Sequence, residues 1–197
     1  IILNEDSDPI AATIVGGTIT GYEVGIDATG VDGNWTVRET TIEPGESGIA
    51  VDTADSTGNW TVENVVTDGG THGIVTTGAT GDWTVRETEL RNHVESAVVT
   101  AESSGNWILR DTVVDSLGAD GGNATDSTGN WTVTALHTND TETVVDATNA
   151  TGDWLLRDTT VRNATAPVTA IGTNGSWTIE NVTATDVLFA AVNASTS

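Results

Sequence analysis

Tryptophan recurs along this 197-residue chain at an almost constant interval. The successive gaps are 25, 23, 24, 24, 23 and 23 residues, and every Trp follows a Gly and then an Asn, Asp or Ser. The seven members of this ladder are Trp35, Trp60, Trp83, Trp107, Trp131, Trp154 and Trp177. A fixed period of this size indicates a repeat architecture, so it constrains the fold more than any single motif does.

Each repeat unit reads as short strands separated by turns. In the first unit Trp35 and Val37 alternate with polar residues, and Ile49 and Val51 do the same after a turn at 43–48. A second turn, at 53–58, leads into the next unit. Alternation with a period of two, bounded by Gly, Asp, Asn and Ser, is typical of strands and turns. No segment has a sustained helical period, so an all-β fold is predicted.

A unit of 23–25 residues fits one coil of a parallel β-helix, in which each coil adds about 4.8 Å to the axis. Residues 17–26 align with the repeat, with Gly17 in the Trp position, which gives about eight coils. We predict an N-terminal segment and short first coil at 1–32, followed by seven Trp-containing coils at 33–197; residues 10–32 join them in a single solenoid domain. A β-propeller blade needs about 40 residues, and the Leu-x-x-Leu-x-Leu signature of leucine-rich repeats is missing.

The segments at 18–26 (TITGYEVGI) and 35–42 (WTVRETTI) resemble the repeats of right-handed parallel β-helix proteins of the pectate-lyase-like and NosD-like superfamily. The resemblance extends over residues 10–197. It implies a right-handed β-helix and an exported protein, but it indicates function only weakly. The superfamily contains lyases, hydrolases, phage tailspikes, adhesins and non-enzymatic surface proteins. The calcium-binding acidic cluster of the pectate lyases has no residue-by-residue match, so no catalytic residue is assigned.

The charge balance restricts the partners. Six Arg, no Lys and 29 acidic residues give a net charge of −23, which argues against nucleic acid and anionic membranes as partners. An excess of carboxylates with Arg retained is similar to the proteins of halophilic archaea, in which salt screens the repulsion between carboxylates. No apolar run reaches the ~18 residues of a membrane span. The chain starts without Met or a signal peptide, so we expect a processed protein or a segment of a longer one.

Glycosylation motifs favour an extracellular, cell-surface location. Ten of the 14 Asn residues begin an Asn-x-Ser/Thr sequon, a candidate glycan acceptor on an exported protein. These candidates are Asn34, Asn59, Asn123, Asn130, Asn139, Asn149, Asn163, Asn174, Asn181 and Asn193.

The Trp ladder has two interpretations. Trp35 shares a strand face with Val37, because residues two apart in a strand point to the same side. If the aliphatic file is the core, the indoles fill the coil and fix its register, and this is the interpretation we favour. The alternative is an exposed aromatic ladder on which sugar rings stack. Ice binding is disfavoured, because the residue after Trp is Ile108 in one coil and Leu155 in another.

Four of the six arginines, Arg38, Arg86, Arg110 and Arg157, lie three residues after a Trp and beside carboxylates. We predict that this file forms surface ion pairs; the alternative is a cationic stripe for acidic polysaccharide.

No metal site or cofactor is predicted beyond weak binding of Ca²⁺ or Na⁺ along the acidic faces. The histidines, His72, His93 and His137, occupy three different registers, which argues against a His-based metal centre. We expect them in loops or turns. The segment 115–123 departs most from the repeat. We favour a turn that tolerates variation there, and the alternative is a special loop with a function. Asp120 in that segment and Arg110 are the first residues to mutate in a search for activity.

Two functions remain open. The first is a non-enzymatic structural or adhesive β-helix module of a halophilic archaeon, within a surface, fibre or filament assembly. Its partners would be further β-helix coils or other copies, because uncapped coil ends expose apolar edges. The second is a carbohydrate-binding or polysaccharide-degrading protein, which would need a groove with a unique Asp/Glu/Arg cluster. A viral tail-fibre segment is a further alternative.

Overall fold

The chain folds into a parallel β-solenoid. The structure, a computed structural model, describes residues 1–3, 11–189 and 192–195. These ranges contain a single 21-stranded sheet and no helix. Each strand pairs in parallel with the equivalent strand one coil away, as in the pairing of Trp35 with Trp60. The predicted all-β parallel β-helix with one Trp per coil is therefore confirmed.

Three strand segments form each coil. The coil before the first Trp consists of β1 (Ala12–Val15), β2 (Thr18–Thr20) and β3 (Val24–Asp27). The next three coils are β4 (Trp35–Arg38), β5 (Thr41–Glu43) and β6 (Ile49–Asp52), then β7 (Trp60–Glu63), β8 (Val66–Asp68) and β9 (His72–Val75), then β10 (Trp83–Arg86), β11 (Glu89–Arg91) and β12 (Ser96–Val99). The following two coils are β13 (Trp107–Asn123), and β14 (Trp131–Thr141) with β15 (Thr143–Asp146). The last two are β16 (Trp154–Arg157), β17 (Thr160–Arg162) and β18 (Ala166–Ile171), then β19 (Trp177–Glu180), β20 (Thr183–Thr185) and β21 (Val192–Ser195).

The segment 115–123, expected as a turn or a special loop, is part of strand β13. It pairs with β12 on one side and with β14 and β15 on the other. The register shifts between Asp115 and Ala119, and pairing resumes on both sides of this bulge, so the departure from the repeat is accommodated within the strand rather than by a separate loop.

The seven indoles form one continuous stack inside the solenoid. Successive ring centroids are between 4.7 Å, for Trp131 and Trp154, and 5.3 Å, for Trp35 and Trp60. The planes of each pair lie within 10° of parallel. Six of the indoles are buried, whereas Trp177 in the last coil is 42% exposed. The neighbouring aliphatic file, which includes Val37, is also buried, so the Trp stack belongs to the core.

A bend at a fixed position separates the first and second strands of each coil. The residue four positions after each Trp has a positive φ, from 49° at Asp111 to 54° at Glu39. The residue after the bend points inward and is often Thr. Thr40, for example, donates a hydrogen bond from Oγ1 to the carbonyl oxygen of Arg38 at 2.9 Å. Such a bond satisfies a hydroxyl that burial would otherwise leave unpaired.

From Gly58 onward, the Gly two residues before each Trp is required by close stacking of the coils. A Cβ placed on Gly105 would lie 1.9 Å from the carbonyl oxygen of Gly81 in the preceding coil. The same clash, at 2.0 Å, would occur between Gly58 and the carbonyl oxygen of Gly33. A side chain here would force adjacent coils apart.

Candidate functional site

A long groove, which we call the axial groove, runs across the coils of the solenoid. Its volume is ≈ 1020 Å³. It is lined by the residues on either side of the Trp positions and, at its floor, by the six buried Trp residues from Trp35 to Trp154. One wall consists of Asn34, Asn59, Asp82, Asn106, Asn130, Asp153 and Ser176. The other consists of Thr13, Thr36, Thr61, Thr84, Ile108, Thr132, Leu155 and Thr178.

The Asn/Asp wall is a ladder of side chains that hold successive coils together. Asn34 Oδ1 accepts a hydrogen bond from the backbone N–H of Asn59 at 2.9 Å, and Asn59 Oδ1 accepts one from Asp82 at 2.8 Å. The pattern continues through each coil to the N–H of Ser176, which donates to Asp153 Oδ1. Asp can replace Asn at this position and keep the hydrogen bond, because only the Oδ1 atom accepts it. The residue before Trp, which recurs in every repeat, therefore has a structural function that the sequence analysis missed.

Most hydroxyl groups of the Thr wall have no hydrogen-bond partner among the described residues. Thr36, Thr61, Thr84 and Thr132 are half-buried, and within the described ranges none of their hydroxyls makes an intramolecular hydrogen bond. Ile108 takes the Thr position in one coil and is 42% exposed. The wall thus presents hydroxyls with two aliphatic side chains, those of Ile108 and Leu155, among them.

The tryptophans lie beneath the groove rather than in it. Trp60 and Trp83 are only 2% and 3% exposed, so their ring faces are not available for stacking with a ligand. The interpretation of the ladder as an exposed aromatic platform is therefore wrong for the six buried indoles. The Nε1 atoms of five of them are buried without a hydrogen-bond partner: Trp35, Trp60, Trp83, Trp107 and Trp131.

The arginine file lies on the same first strands as the Thr wall, two residues further along each strand, and it does not line the axial groove. Arg86 Nη2 is 2.7 Å from Glu63 Oε1, which links two coils. Arg38 and Arg157 pair within their own coils. Arg38 Nη1 is 3.2 Å from Glu39 Oε1, and Arg157 Nε is 3.4 Å from Asp158 Oδ2. Arg110 has no ion-pair partner among the described residues. Exposed pairs of this kind contribute little to stability.

The histidines do not converge, and two of them lie in strands rather than in the expected turns. His72 opens β9, and its Nε2 is 3.3 Å from Glu95 Oε2. His137 lies within β14, because its position in the repeat is an outward strand position. His93 does lie in a loop, between β11 and β12, but it is buried, and its Nε2 is 2.8 Å from Thr67 Oγ1. Burial lowers the pKa of His93 to about 4.

Asp120 is the most perturbed carboxyl group in the described structure. Burial, reinforced by the negative charges of Asp146 and Glu142, raises its pKa to about 6. Arg110, the other residue chosen for mutation, belongs to the first strand segment of β13, whereas Asp120 pairs with Ser96 on the third face. The two residues are therefore not brought together into one site.

Most of the predicted sequons have an exposed Asn. Three of them lie in the wall of the axial groove, namely Asn34, Asn59 and Asn130. The remaining exposed candidates are Asn139, Asn149, Asn163, Asn174 and Asn181. Asn123 is half-buried, and the side chain of Asn193 lies outside the described structure.

The fold places the chain among the parallel β-solenoid proteins, and its most prominent surface feature is the polar axial groove. Comparison with protein families gives one match: the family described as "Periplasmic copper-binding protein (NosD)" matches residues 2–131. The match covers more than half of the chain, so the chain belongs to the NosD family. No curated protein and no solved structure matches it. Within the described ranges, no helix is long and apolar enough to cross a membrane.

The residues present do not fit the copper that the family description names. Copper prefers thiolate, thioether and imidazole ligands. The chain has no Cys and no Met. Its three His residues lie on different positions of the repeat, and His93 Nε2 is already occupied by Thr67 in the core. No group of three or more His, Cys, Asp or Glu residues converges in the part of the chain that the structure describes.

Proposed function

We propose that the chain is a non-enzymatic, extracellular structural or adhesive module, a rigid β-solenoid within a surface, fibre or filament assembly of a halophilic archaeon. The observation that carries this proposal is the continuity of the Trp stack, which runs from Trp35 to Trp177 without interruption. The connections between strands within the described ranges are short, so none of them walls off a catalytic pocket. A regular rod suits mechanical and adhesive roles.

Charge and family support the location. The family is described as periplasmic, which is consistent with a site outside the cytoplasm. The ten sequons agree with export. The net charge of −23 favours a salt-rich medium, in which the Debye length falls to roughly 3 Å at 1 M and repulsion between rods is screened. We do not extend copper binding to this chain, because its donor atoms do not suit that metal.

Association through the coil ends is the assembly mode we infer. At the last described coil Trp177 is 42% exposed, and Leu188 and Phe189 are 78% and 68% exposed. An apolar coil face of this kind is stabilised when another coil covers it. In a solution of the isolated chain, the coil that covers it would belong to a second copy.

Sedimentation velocity of the 197-residue chain in about 1 M salt tests this proposal. We expect concentration-dependent association that is weakened by the double variant Leu188→Asp/Phe189→Asp. The control is Val94→Asp, because Val94 is 66% exposed but lies in the middle of the solenoid. A chain that stays monomeric at every concentration, or an equal effect of both variants, would contradict the proposal.

A further inference from the structure

We propose that the Trp stack is a path for one-electron oxidation, along which an electron vacancy moves from the buried indoles to the exposed end of the solenoid at Trp177. This activity goes beyond the proposed function and does not depend on how the chains assemble. Three features support it: the side chains that the sequence lacks, the geometry of the stack, and the difference between its two ends.

The composition leaves the indoles as the main oxidisable groups of the protein. Cys and Met are common sites of oxidative damage, and the chain has neither. Of the other readily oxidised side chains it has one Tyr against seven Trp. A radical oxidant that takes one electron from this protein therefore takes it chiefly from an indole.

The stacked rings suit transfer of an electron from one indole to the next. The ring centroids of neighbours lie 4.7–5.3 Å apart along the whole stack, and the planes of each pair are within 10° of parallel. Electron exchange between two aromatic rings is fastest when their faces overlap, as they do in this arrangement. An oxidised indole can therefore receive an electron from its neighbour, which moves the vacancy by one coil.

Burial prevents the vacancy from becoming fixed inside the stack. An indole radical cation is converted to a stable neutral radical by loss of its Nε1 proton, and this step needs a proton acceptor. Within the described structure, the buried Nε1 atoms that have no hydrogen-bond partner are those of Trp35, Trp60, Trp83, Trp107 and Trp131. A positive charge is also costly in an apolar interior. The buried indoles therefore pass the vacancy on rather than retain it.

The two ends of the stack differ, and this difference gives the path a direction. At one end Trp35 pairs with Ala12 of the coil before it and is 3% exposed. At the other end Trp177 is 42% exposed. Water can stabilise a positive charge on Trp177 and accept its Nε1 proton. The vacancy therefore ends at Trp177, wherever in the stack it forms.

The complete reaction balances in electrons and protons. A radical oxidant takes one electron from an indole of the stack and is reduced to its anion. Electrons then move ring by ring from Trp177 toward the vacancy, and Trp177 releases its Nε1 proton to water. A soluble phenolic or enediol reductant returns one electron and one proton to the Trp177 radical, which restores the indole. The core is thus spared a permanently modified ring between two coils.

A photo-oxidant attached beside the middle of the stack tests the inference. Because the chain has no Cys, Thr84→Cys gives a single attachment point next to Trp83 for a ruthenium polypyridyl complex. Illumination with a cobalt(III) ammine as the electron acceptor produces Ru(III), which takes an electron from Trp83. Trp35 is two indoles away and Trp177 is four away. We nevertheless expect mass spectrometry of the digested protein to find oxygenated Trp chiefly at Trp177, with little at Trp35.

The same complex on Val94→Cys is the control for oxidants that diffuse through the solution. Val94 is 66% exposed and lies in the connection between β11 and β12, outside the axial groove. The yield of oxidised Trp177 from this position should be well below the yield from Thr84→Cys. Dilution of the Thr84→Cys conjugate should leave the yield per molecule unchanged, since the transfer occurs within one chain.

Two matched double variants of the conjugate locate the path. Trp131→Phe/Trp154→Phe removes two indoles between the photo-oxidant and Trp177, which leaves a gap of about three coil spacings, roughly 14 Å. Trp35→Phe/Trp60→Phe removes two indoles on the other side of the photo-oxidant. Phe keeps a ring in the core but is much harder to oxidise than Trp. Oxidation at Trp177 should be lost in the first variant and kept in the second, while circular dichroism shows both folded.

Oxidation confined to Trp83 and its neighbours, or equal oxidation of Trp35 and Trp177, would overturn the inference. Equal losses in the two double variants, or equal yields from the two attachment points, would do the same. If a double variant does not fold, the comparison of Trp35 with Trp177 in the intact stack still decides the result.

Discussion

Truncating an indole in the middle of the Trp stack should cost far more stability than truncating the one at its end. Trp83 is 3% exposed and stacks on Trp60 at 5.0 Å and on Trp107 at 4.9 Å. Burying about 200 Å² at ~25 cal/mol per Å² contributes about 5 kcal/mol. The cavity left by Trp83→Ala cannot collapse fully between two rigid neighbours, so a destabilisation of about 4–5 kcal/mol is expected.

The end of the stack provides the comparison. Trp177 is 42% exposed and has one stacking neighbour, Trp154, at 5.2 Å. Its truncation opens no enclosed cavity, so Trp177→Ala should cost about 2 kcal/mol. Trp83→Phe should cost less than Trp83→Ala, because it keeps an aromatic ring and removes the buried Nε1–H that has no partner.

Urea unfolding followed by circular dichroism and by fluorescence, at one fixed salt concentration, measures these differences. The two probes must give coincident transitions for the free energies to be comparable, since solenoids can unfold in parts. Equal costs for Trp83→Ala and Trp177→Ala, or a cost for Trp83→Ala below about 1 kcal/mol, would refute the reasoning that the internal stack is a main source of stability.

Three further predictions follow from the close contacts and the shifted pKa values. Gly105→Ala should destabilise the protein by about 3 kcal/mol or more in thermal and urea unfolding, because its Cβ would lie 1.9 Å from a carbonyl oxygen. The control is Gly45→Ala, whose Cβ would lie 3.7 Å from the nearest carbonyl oxygen and which should change stability by less than about 1 kcal/mol. Asp120 has a pKa raised to about 6, so the stability it contributes is complete below pH 3.8 and lost as the pH rises through 6. Asp120→Asn should therefore stabilise at pH 7 by about 1 kcal/mol after allowance for solvent screening, with no gain near pH 3; a loss at pH 7 would contradict this. His93 has a pKa lowered to about 4 from 6.5, so between these pH values the native state binds fewer protons than the unfolded state. The stability of the protein relative to the His93→Leu variant should therefore fall by about 3 kcal/mol as the pH is lowered from 6.5 to 4. A stability difference that does not change with pH would show that His93 is solvated.

The repeat made the fold predictable because Trp and its neighbours recur with a period that only a solenoid accommodates. The same pattern concealed the function of individual positions. The Asn before each Trp reads in the sequence as a turn residue or a sequon, whereas its Oδ1 binds the backbone of the next coil. That contact joins residues 25 apart and leaves no local signal. Substitution of Asn by Asp, as at Asp82, was the one available clue that an oxygen acceptor is what the position requires.

The axial groove was not predictable for a similar reason. Its two walls come from residues on either side of a buried Trp, and whether they enclose a concave surface depends on how the coil bends. The bend at Glu39 requires a positive φ of 54° at a residue that does not usually adopt it. Asn or Asp fills the position in four other coils, as at Asn64 and Asp111, and this was the available signal for a bend. Segment 115–123 was misread in the opposite direction, since loss of the repeat pattern suggested a loop where the strand persists.

Negative-stain electron microscopy of the full chain in about 1 M salt is the most direct test of the account as a whole. A regular solenoid module that associates through its coil ends should appear as straight rods that lengthen with concentration and keep a constant width. Short particles of one size at every concentration, or branched and irregular aggregates, would contradict the claim that this chain is a structural module of an extended assembly.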